Sequence, residues 1–553
     1  MSARRLVDPL ARPVLDGAAV LKVLARTGLI SPIRPDRLVG MARSFLRWGS
    51  SPAAAYAAGA ARDPGRLAVI DEREQVTYAD IDRRSTAVAH ALAERGVKTG
   101  DSVALLARNS AQFLVAMVAI SKLGADLLYL NTGFAGPQLG DVLVTEGAVA
   151  IVADEEFAAL LAEVAPDLPR LLAWVDDASA PPDSVEALGA RDLPALGSPG
   201  RESRHVILTS GTTGRPKGAA RSAPGMLAGV LELVAVLEAI PYRARAVTVL
   251  AAPAFHAWGL ANVLLGMMLQ STLVMSRRFD PAKTLDLIET HHADTLVAVP
   301  VMLQRILDLP DDARRSRDTS SLRVAALSGS ALAPTLAARF MDDFGDVIYS
   351  LYGSTEVSYV SVAGPRDLRE APGTAGRLVR GVTVRIVDDE DNDVAAGDTG
   401  RIFVGSPIEF EGYTSGEDKT RLGALTSSGD VGRVDESGRL FVEGRDDDMI
   451  VSGGENVFPA EVEDCLHQHP EVADAAVVGV PDEKFGQALV AHVVLRDGAS
   501  VSSEELRGHV KKALANYKVP REIVLHDELP RNETGKVLKR ELTDSDSDSD
   551  SDS

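Results

Sequence analysis

Apolar and polar positions change rhythm several times along the chain, and those changes divide it. Up to residue 50 the apolar positions recur at helical spacing, with Leu38, Met41, Ala42, Phe45 and Trp48 on one face and Arg34, Arg37, Arg43 and Arg47 nearby. From about residue 62 short apolar runs alternate with amphipathic stretches. Leu67–Ile70 and Ser102–Leu106 read as strands, helices are expected from Thr77 to Ala93 and over residues 111–123, and His205-Val206-Ile207-Leu208 reads as a buried strand end. Residues 177–204, rich in Pro, Ala and Ser, read as a loop or linker. The rhythm resumes at Leu296-Val297-Ala298-Val299, Val324–Leu327 and Val347-Ile348-Tyr349, each closing on a Gly-, Ser- or Pro-containing turn. Such alternation predicts parallel sheets with ligand sites outside the carboxyl ends of the strands.

Residues 381–442 switch to short strands and turns, a β-rich subdomain. Beyond Gly444 come a helix near Glu461, strands over 475–480 and 490–495, and a helix over 504–515 for which Ser502 and Glu505 form a capping box. The expected fold is therefore α/β. A helical lead-in (1–61) precedes a large N-terminal domain of parallel αβ sheets plus the β-rich subdomain (62–446). A small mobile α+β C-terminal domain (447–541) and an acidic Asp-Ser tail (542–553), expected to be disordered, complete the chain.

Composition narrows the function. The net charge is −21, and removing the five Asp of the tail still leaves a strongly acidic body, which excludes a general nucleic-acid binder. The single cysteine, Cys465, excludes an intramolecular disulfide framework and a cysteine-based zinc site. Lys22 and Arg26 interrupt the apolar stretch 17–30, so no clean signal-peptide core is expected. The most apolar region, 247–275, carries Pro253, His256, Gly259, Asn262, Gly266 and Gln270, and reads as a strand, a turn and a buried helix rather than a membrane span. A cytoplasmic location is expected. The lead-in helix is expected to pack on the main domain, and residues 35–50 are the candidate for a weak peripheral membrane contact.

Six segments carry candidate chemistry. The run Thr209, Ser210, Gly211, Thr212, Thr213, Gly214, Arg215, Pro216, Lys217, Gly218 follows a strand and offers backbone N–H groups, hydroxyls and an ammonium to a polyphosphate. It is not a Walker A loop, because Pro216 stands where that motif needs Gly, and no Gly-x-Gly occurs anywhere to open a dinucleotide fingerprint. Leu351-Tyr352-Gly353-Ser354-Thr355-Glu356 supplies an aromatic face, hydroxyls and a carboxylate suited to Mg²⁺. Ser328-Gly329-Ser330-Ala331 can bring backbone close to a flat base, and Asp430 in Thr426-Ser427-Ser428-Gly429-Asp430 can accept two ribose hydroxyls. Arg445 lies in a charged turn, and Lys536 in a loop that starts at Pro530. Taken singly, each of the last five reads at least as well as a turn residue, a surface ion pair or a solvated charge.

In this order and spacing the segments resemble the adenylate-forming superfamily of acyl- and aryl-CoA synthetases, peptide-synthetase adenylation domains and luciferases, over about residues 62–541. The resemblance implies that 62–446 is an AMP-binding adenylation domain and 447–541 its lid, with Asp447 as the hinge. It implies a β/γ-phosphate grip from Thr209 to Lys217, an adenine shelf from Gly329, Ser330 and Ala331 with Tyr352, and Gly353 and Ser354 beside it. Thr355 would contact the α-phosphate, Glu356 would hold Mg²⁺, Asp430 and Arg445 would take the ribose, and Lys536 would bridge carboxylate and α-phosphate oxygens. Val451-Ser452-Gly453-Gly454-Glu455-Asn456 matches the CoA-ligase pattern, with Gly453, Gly454 and Glu455 as CoA contacts. His256 falls where the family places a gate beside the acyl pocket, and Gly259 would leave that pocket room. The implied cofactors are ATP, Mg²⁺ and coenzyme A.

Amino-acid-activating relatives carry Asp beside the Phe that precedes His256, so an α-amino acid is disfavoured. The first reading is a medium- or long-chain fatty acid converted to its CoA thioester. The alternatives are an aryl- or cyclic-acid CoA ligase, a fatty-acyl-AMP ligase and, outside the enzymes, an inactive nucleotide-binding scaffold.

Overall fold

The computed structural model describes residues 17–543 apart from 31, 177–179, 211–215, 222–225, 407–409, 415, 417, 447–448, 453–454, 483–485, 533–534 and 540. The chain packs as two compact units. One runs to Ser328 and takes in Val379–Gly381 and Ser406–Lys419; the other holds Gly329–Leu378, Val382–Gly405 and the chain from Thr420 on. The boundary expected at 446/447 lies inside the second unit, and Asp447 and the tail from 544 are outside the described residues. Leu542, assigned to the tail from sequence, is buried with Ala476, Val478, Val490 and Leu529, so the packed part extends through it.

The first unit holds two sheets. In one, Val324–Leu327, Thr295–Ala298, Val247–Leu250, Thr272–Met275 and Leu67–Ile70 lie side by side in parallel, closed by the antiparallel edge strand Gln75–Thr77. In the other, Arg170–Leu172, Ala148–Ala153, Ser102–Leu106, Asp126–Tyr129 and His205–Ser210 are parallel and Pro216–Arg221 is antiparallel at the edge. The helix Ala111–Lys122 is buried along its whole length, as its near-unbroken apolar sequence requires. Thr77 and Asp80 close a reciprocal capping box on the helix Tyr78–Glu94.

Three expectations need correction. The stretch 177–204 contains the helix Val185–Gly189, capped by Ser184 and buried through Val185 and Leu188. Sequence periodicity misses it because five residues are too few to show a face. The strand read as Val347-Ile348-Tyr349 runs on to Ser354, and the chain then turns back antiparallel through Ser358–Ala363. The lead-in helix Pro35–Trp48 divides its apolar residues, with Trp48 buried and Gly40 against Ala61, while Leu38, Ala42 and Phe45 face outward.

The second unit is antiparallel where the sequence becomes β-rich, in the order Thr383–Val387, Gly400–Gly405, Leu425–Val434, Arg439–Arg445, Gly376–Leu378, Ser358–Ala363, Ile348–Ser354. Its C-terminal part is a small α+β layer. The long hairpin Val472–Asp482 with Gly486–Leu495 pairs with Glu522–His526 and carries the helices Pro459–His467 and Ser503–Ala513 over one apolar cluster. Ser502 and Glu505 form the expected capping box. Among the described residues no helix is long and apolar enough to cross a membrane.

Candidate active site

In the first unit the two ends of the polyphosphate-type run pair with each other. Thr209 pairs with Lys217 and Ser210 with Pro216, so the strand before the run continues antiparallel after it. Gly211, Thr212, Thr213 and Gly214 lie outside the described residues, as do the side chains of Thr209 and Ser210. The base of the hairpin is anchored by Asp126. Its carboxylate, 4% exposed, accepts from the Arg204 backbone N–H at 2.9 Å and from Arg204 Nε and Nη2 at 3.0 and 2.8 Å. Arg201 also pairs with this carboxylate, so a charge that deeply placed is met by two guanidinium groups.

A segment with no chemical motif of its own braces Lys217. Ala219 bridges to Tyr413, the Thr414 N–H donates to the Gly218 carbonyl at 2.8 Å, and the Thr414 hydroxyl donates to Glu146 at 2.6 Å. The Lys217 ammonium stands 5.5 Å from the centre of the Tyr413 ring. A Cβ at position 218 would come within 2.5 Å of the Glu146 carboxylate, so Gly is required there for close approach. Sequence reading missed Tyr413 and Thr414, whose only signal is proximity in the fold.

His256 caps the helix Ala257–Leu269, and its ring packs 4.7 Å from that of Phe255. Its Nε2 is buried with no hydrogen-bond partner among the described residues. Burial lowers the imidazole pKa to about 4, so the ring is neutral at physiological pH. The unfolded value is about 6.5. Because the folded value is the lower one, His256 contributes stability that is complete above pH ~6.5 and is lost as pH falls toward 4. An NMR titration of the ring is expected to show its midpoint near 4. A midpoint near 6.5 would mean that the ring is solvated.

The turn before His256 is held by Asn109, which is 4% exposed. Asn109 Nδ2 donates to the carbonyls of Leu250 and Ala252 at 3.3 and 3.0 Å, and its Oδ1 accepts from the Ala254 N–H at 2.7 Å. Asn109→Leu would leave those groups unpaired at about 1–3 kcal/mol each. A lower urea midpoint with unchanged slope is expected, together with a loss of turnover. Gly259 does not give the acyl pocket room, contrary to expectation. A Cβ there would meet the Pro253 carbonyl oxygen at 2.0 Å, so its bareness serves the packing of helix on turn.

In the second unit the antiparallel pairing brings three of the expected residues together. Asp430 and Arg445 are direct cross-strand partners, with Arg445 Nε 3.8 Å from the Asp430 carboxylate. Tyr352 Oη donates to Asp430 Oδ2 at 2.5 Å, and the Asp430 N–H donates to Ser428 Oγ at 3.1 Å. Burial first, then the neighbouring Asp430 carboxylate, pushes the Tyr352 hydroxyl well above the usual tyrosine range, so it remains a donor.

Thr355 and Glu356 sit in the turn between Ile348–Ser354 and Ser358–Ala363. Ser358 closes this turn with φ of 61°, a left-handed conformation that costs a non-glycine residue energy. The Ser354 hydroxyl donates to the Glu356 carboxylate at 2.8 Å and accepts from the backbone N–H groups of Glu356 and Val357. Gly353 lies where a Cβ would strike the Ser358 carbonyl at 2.0 Å. Gly329, Ser330 and Ala331 form an exposed turn, with Gly329 at φ of 94°.

Lys536 is exposed on a small hairpin. Its backbone N–H donates to Asn532 Oδ1 and its carbonyl accepts from the Asn532 N–H, both at 2.9 Å. Arg531 ties this loop to the domain by donating to the Gly535 carbonyl and to the Asp474 carboxylate. Burial would raise Asp474, but His467 and Arg531 hold it below the usual carboxylate range. Gly453, Gly454 and the side chain of Glu455 lie outside the described residues.

Residues 56–414 match the model of the AMP-binding enzymes, and residues 461–536 match that of the AMP-binding enzyme C-terminal domain. The chain belongs to the AMP-binding enzyme family. It is an adenylate-forming ligase of the acyl-CoA synthetase class. It is 33% identical to indoleacetate–CoA ligase of Aromatoleum aromaticum, over 86% of this chain and 94% of that protein. It is 34% identical to feruloyl-CoA synthase of an Amycolatopsis species (87% and 96%) and 30% identical to a fatty acid–[acyl-carrier-protein] ligase of Streptomyces coeruleorubidus (88% and 94%). Among solved structures, o-succinylbenzoate CoA synthetase from Bacillus subtilis in complex with its acyl-adenylate intermediate superposes with a TM-score of 0.76 at 28% identity, covering 88% of this chain and 97% of that one.

Proposed function

We propose that this AMP-binding enzyme activates an apolar, ring-bearing carboxylic acid with ATP and transfers the acyl group to coenzyme A. The observation that carries the adenylation half is the cluster of Tyr352, Asp430 and Arg445, a short hydrogen bond and a cross-strand ion pair built from the residues expected to hold the nucleoside. In the first step a carboxylate oxygen attacks the α-phosphorus of ATP, and pyrophosphate leaves. The Thr209–Lys217 hairpin takes the β- and γ-phosphates, Thr355 the α-phosphate, and the exposed Lys536 ammonium the charge developing between carboxylate and phosphate. In the second step the thiol of CoA attacks the acyl carbon and AMP leaves, with Gly453, Gly454 and Glu455 on the thiol's path and Asp447 as the hinge.

Among the described residues no group of three or more His, Cys, Asp or Glu forms a metal cage. A single carboxylate, Glu356, suits Mg²⁺ that arrives with the nucleotide phosphates, because that ion keeps most of its oxygen ligands from phosphate and water. Bound there, the ion would neutralise phosphate charge.

For the acid, the neutral His256 beside Phe255 favours an apolar substrate, and its unpartnered Nε2 favours one carrying a polar atom on or near a ring. The aromatic acids named for two of the relatives point the same way. A fatty acid is the second reading, favoured by the fatty acid–carrier-protein ligase among the relatives. Incubation with ATP, CoA and an equimolar mixture of arylalkanoic and C6–C16 fatty acids, read by mass spectrometry of the thioesters, distinguishes them. Aryl or cyclic acyl-CoA should predominate. Predominance of alkyl-CoA would reverse the order, and adenylate without thioester would remove CoA.

A further inference from the structure

The helix Pro35–Trp48 presents an apolar stripe to solvent. Leu38, Val39, Phe45 and Leu46 are 55, 48, 39 and 87% exposed. With the exposed Ala42 they occupy positions 38, 39, 42, 45 and 46, the spacing of one helical face. The opposite face is already used: Trp48 is buried, the Arg37 guanidinium donates to the Arg62 carbonyl at 2.6 Å, and Gly40 lies against Ala61. Among the described residues the helix is therefore fixed to its unit on one side and bare on the other. Single exposed apolar residues need no explanation, but four large ones on one face do.

The charge around the stripe gives its partner. Residues 17–50 carry Lys22, Arg26, Arg34, Arg37, Arg43 and Arg47 against one acid, Asp36, in a chain whose net charge is −21. Arg43 is exposed beside the stripe, and Arg34, at the start of the helix, is 72% exposed while its Nε pairs with Asp36 at 3.1 Å. An otherwise acidic protein that gathers cations around an outward apolar face is complementary to an anionic bilayer, whose phosphates meet the arginines and whose acyl chains meet Leu46, Val39 and Phe45. We propose that the outward face of this helix docks the enzyme peripherally on an anionic lipid surface. The acidic remainder of the chain would be repelled by the same surface, which fixes the helix as the side of contact.

Flotation of the full-length protein with vesicles of phosphatidylcholine alone, or mixed with phosphatidylglycerol, tests this. The wild type should float with the mixed vesicles, at least tenfold less with the neutral ones, and progressively less as salt rises. V39D/L46D, which alters only exposed side chains, should lose at least tenfold of the vesicle-bound fraction while turning over a water-soluble acid at the wild-type rate. R43E should lose part of it. Equal flotation with neutral vesicles, no flotation at all, or full flotation of V39D/L46D would each overturn the proposal. So would a wild-type dimer in sedimentation that V39D/L46D dissociates, since the face would then belong to a second copy of the chain.

Discussion

Lys536→Ala is expected to lower acid-dependent adenylation by about 10²- to 10³-fold, the effect of removing one preorganised charge from a developing transition state. Thioester formation from acyl-adenylate supplied ready-made should stay within a few-fold of wild type. The split follows from how the loop is built. Lys536 contributes to its own hairpin through its backbone N–H and carbonyl, both engaged by Asn532, and Arg531 and Asp474 anchor that hairpin from outside. Truncating the side chain leaves all of those contacts in place, so the loss reports chemistry rather than folding. Arg531→Met is the informative companion, because it removes the anchor and keeps the ammonium. A partial loss of adenylation, with a disturbed amide spectrum for residues 530–537, is expected. Equal losses in both half-reactions for Lys536→Ala would mean that this lysine is not confined to the first step.

Asp430→Asn is expected to raise the KM for ATP by roughly 10- to 150-fold, from about 1.5–3 kcal/mol of charged hydrogen bonding, with the KM for the acid unchanged. The substitution keeps the volume of the side chain and removes the charge that pairs with Arg445 at 3.8 Å and accepts from Tyr352 at 2.5 Å. Tyr352→Phe should cost less, because it removes one donor and leaves the Arg445 pair. If Asp430→Asn shifted both KM values and the melting temperature together, the carboxylate would be holding the sheet rather than the nucleotide. Thermal melts beside the kinetics separate the two outcomes.

Much of the first unit was legible because most of its parallel strands are short, largely buried apolar runs that alternate with helical stretches. Val324–Leu327 and the neighbouring Thr295–Ala298 leave little choice of element. The turn at Glu356 was less legible. Nothing in Leu351-Tyr352-Gly353-Ser354-Thr355-Glu356 announces that the chain reverses there, because the reversal depends on Ser358 adopting a left-handed backbone without being glycine. The pairing of Asp430 with Arg445 followed from sequence order only through the family resemblance. Its geometric basis is a cross-strand register between Leu425–Val434 and Arg439–Arg445 that composition does not encode. Asn109 and Tyr413 were invisible for another reason. Their partners lie 141–145 and about 196 positions away, and a single Asn or Tyr carries no periodic signal. Gly259 shows the converse error, since a glycine near a pocket motif was read as room for substrate when backbone occupies that room.

A carboxylic acid, rather than water or a protein hydroxyl, is expected to attack the α-phosphate of ATP. ATP–pyrophosphate exchange with the full-length enzyme tests it most directly, measured with and without a panel of apolar acids and in the absence of CoA. The expected result is exchange that depends on added acid and needs no CoA, followed by stoichiometric release of AMP once CoA is supplied. ATP binding without acid-dependent exchange for any acid, or release of ADP and phosphate in its place, would contradict it.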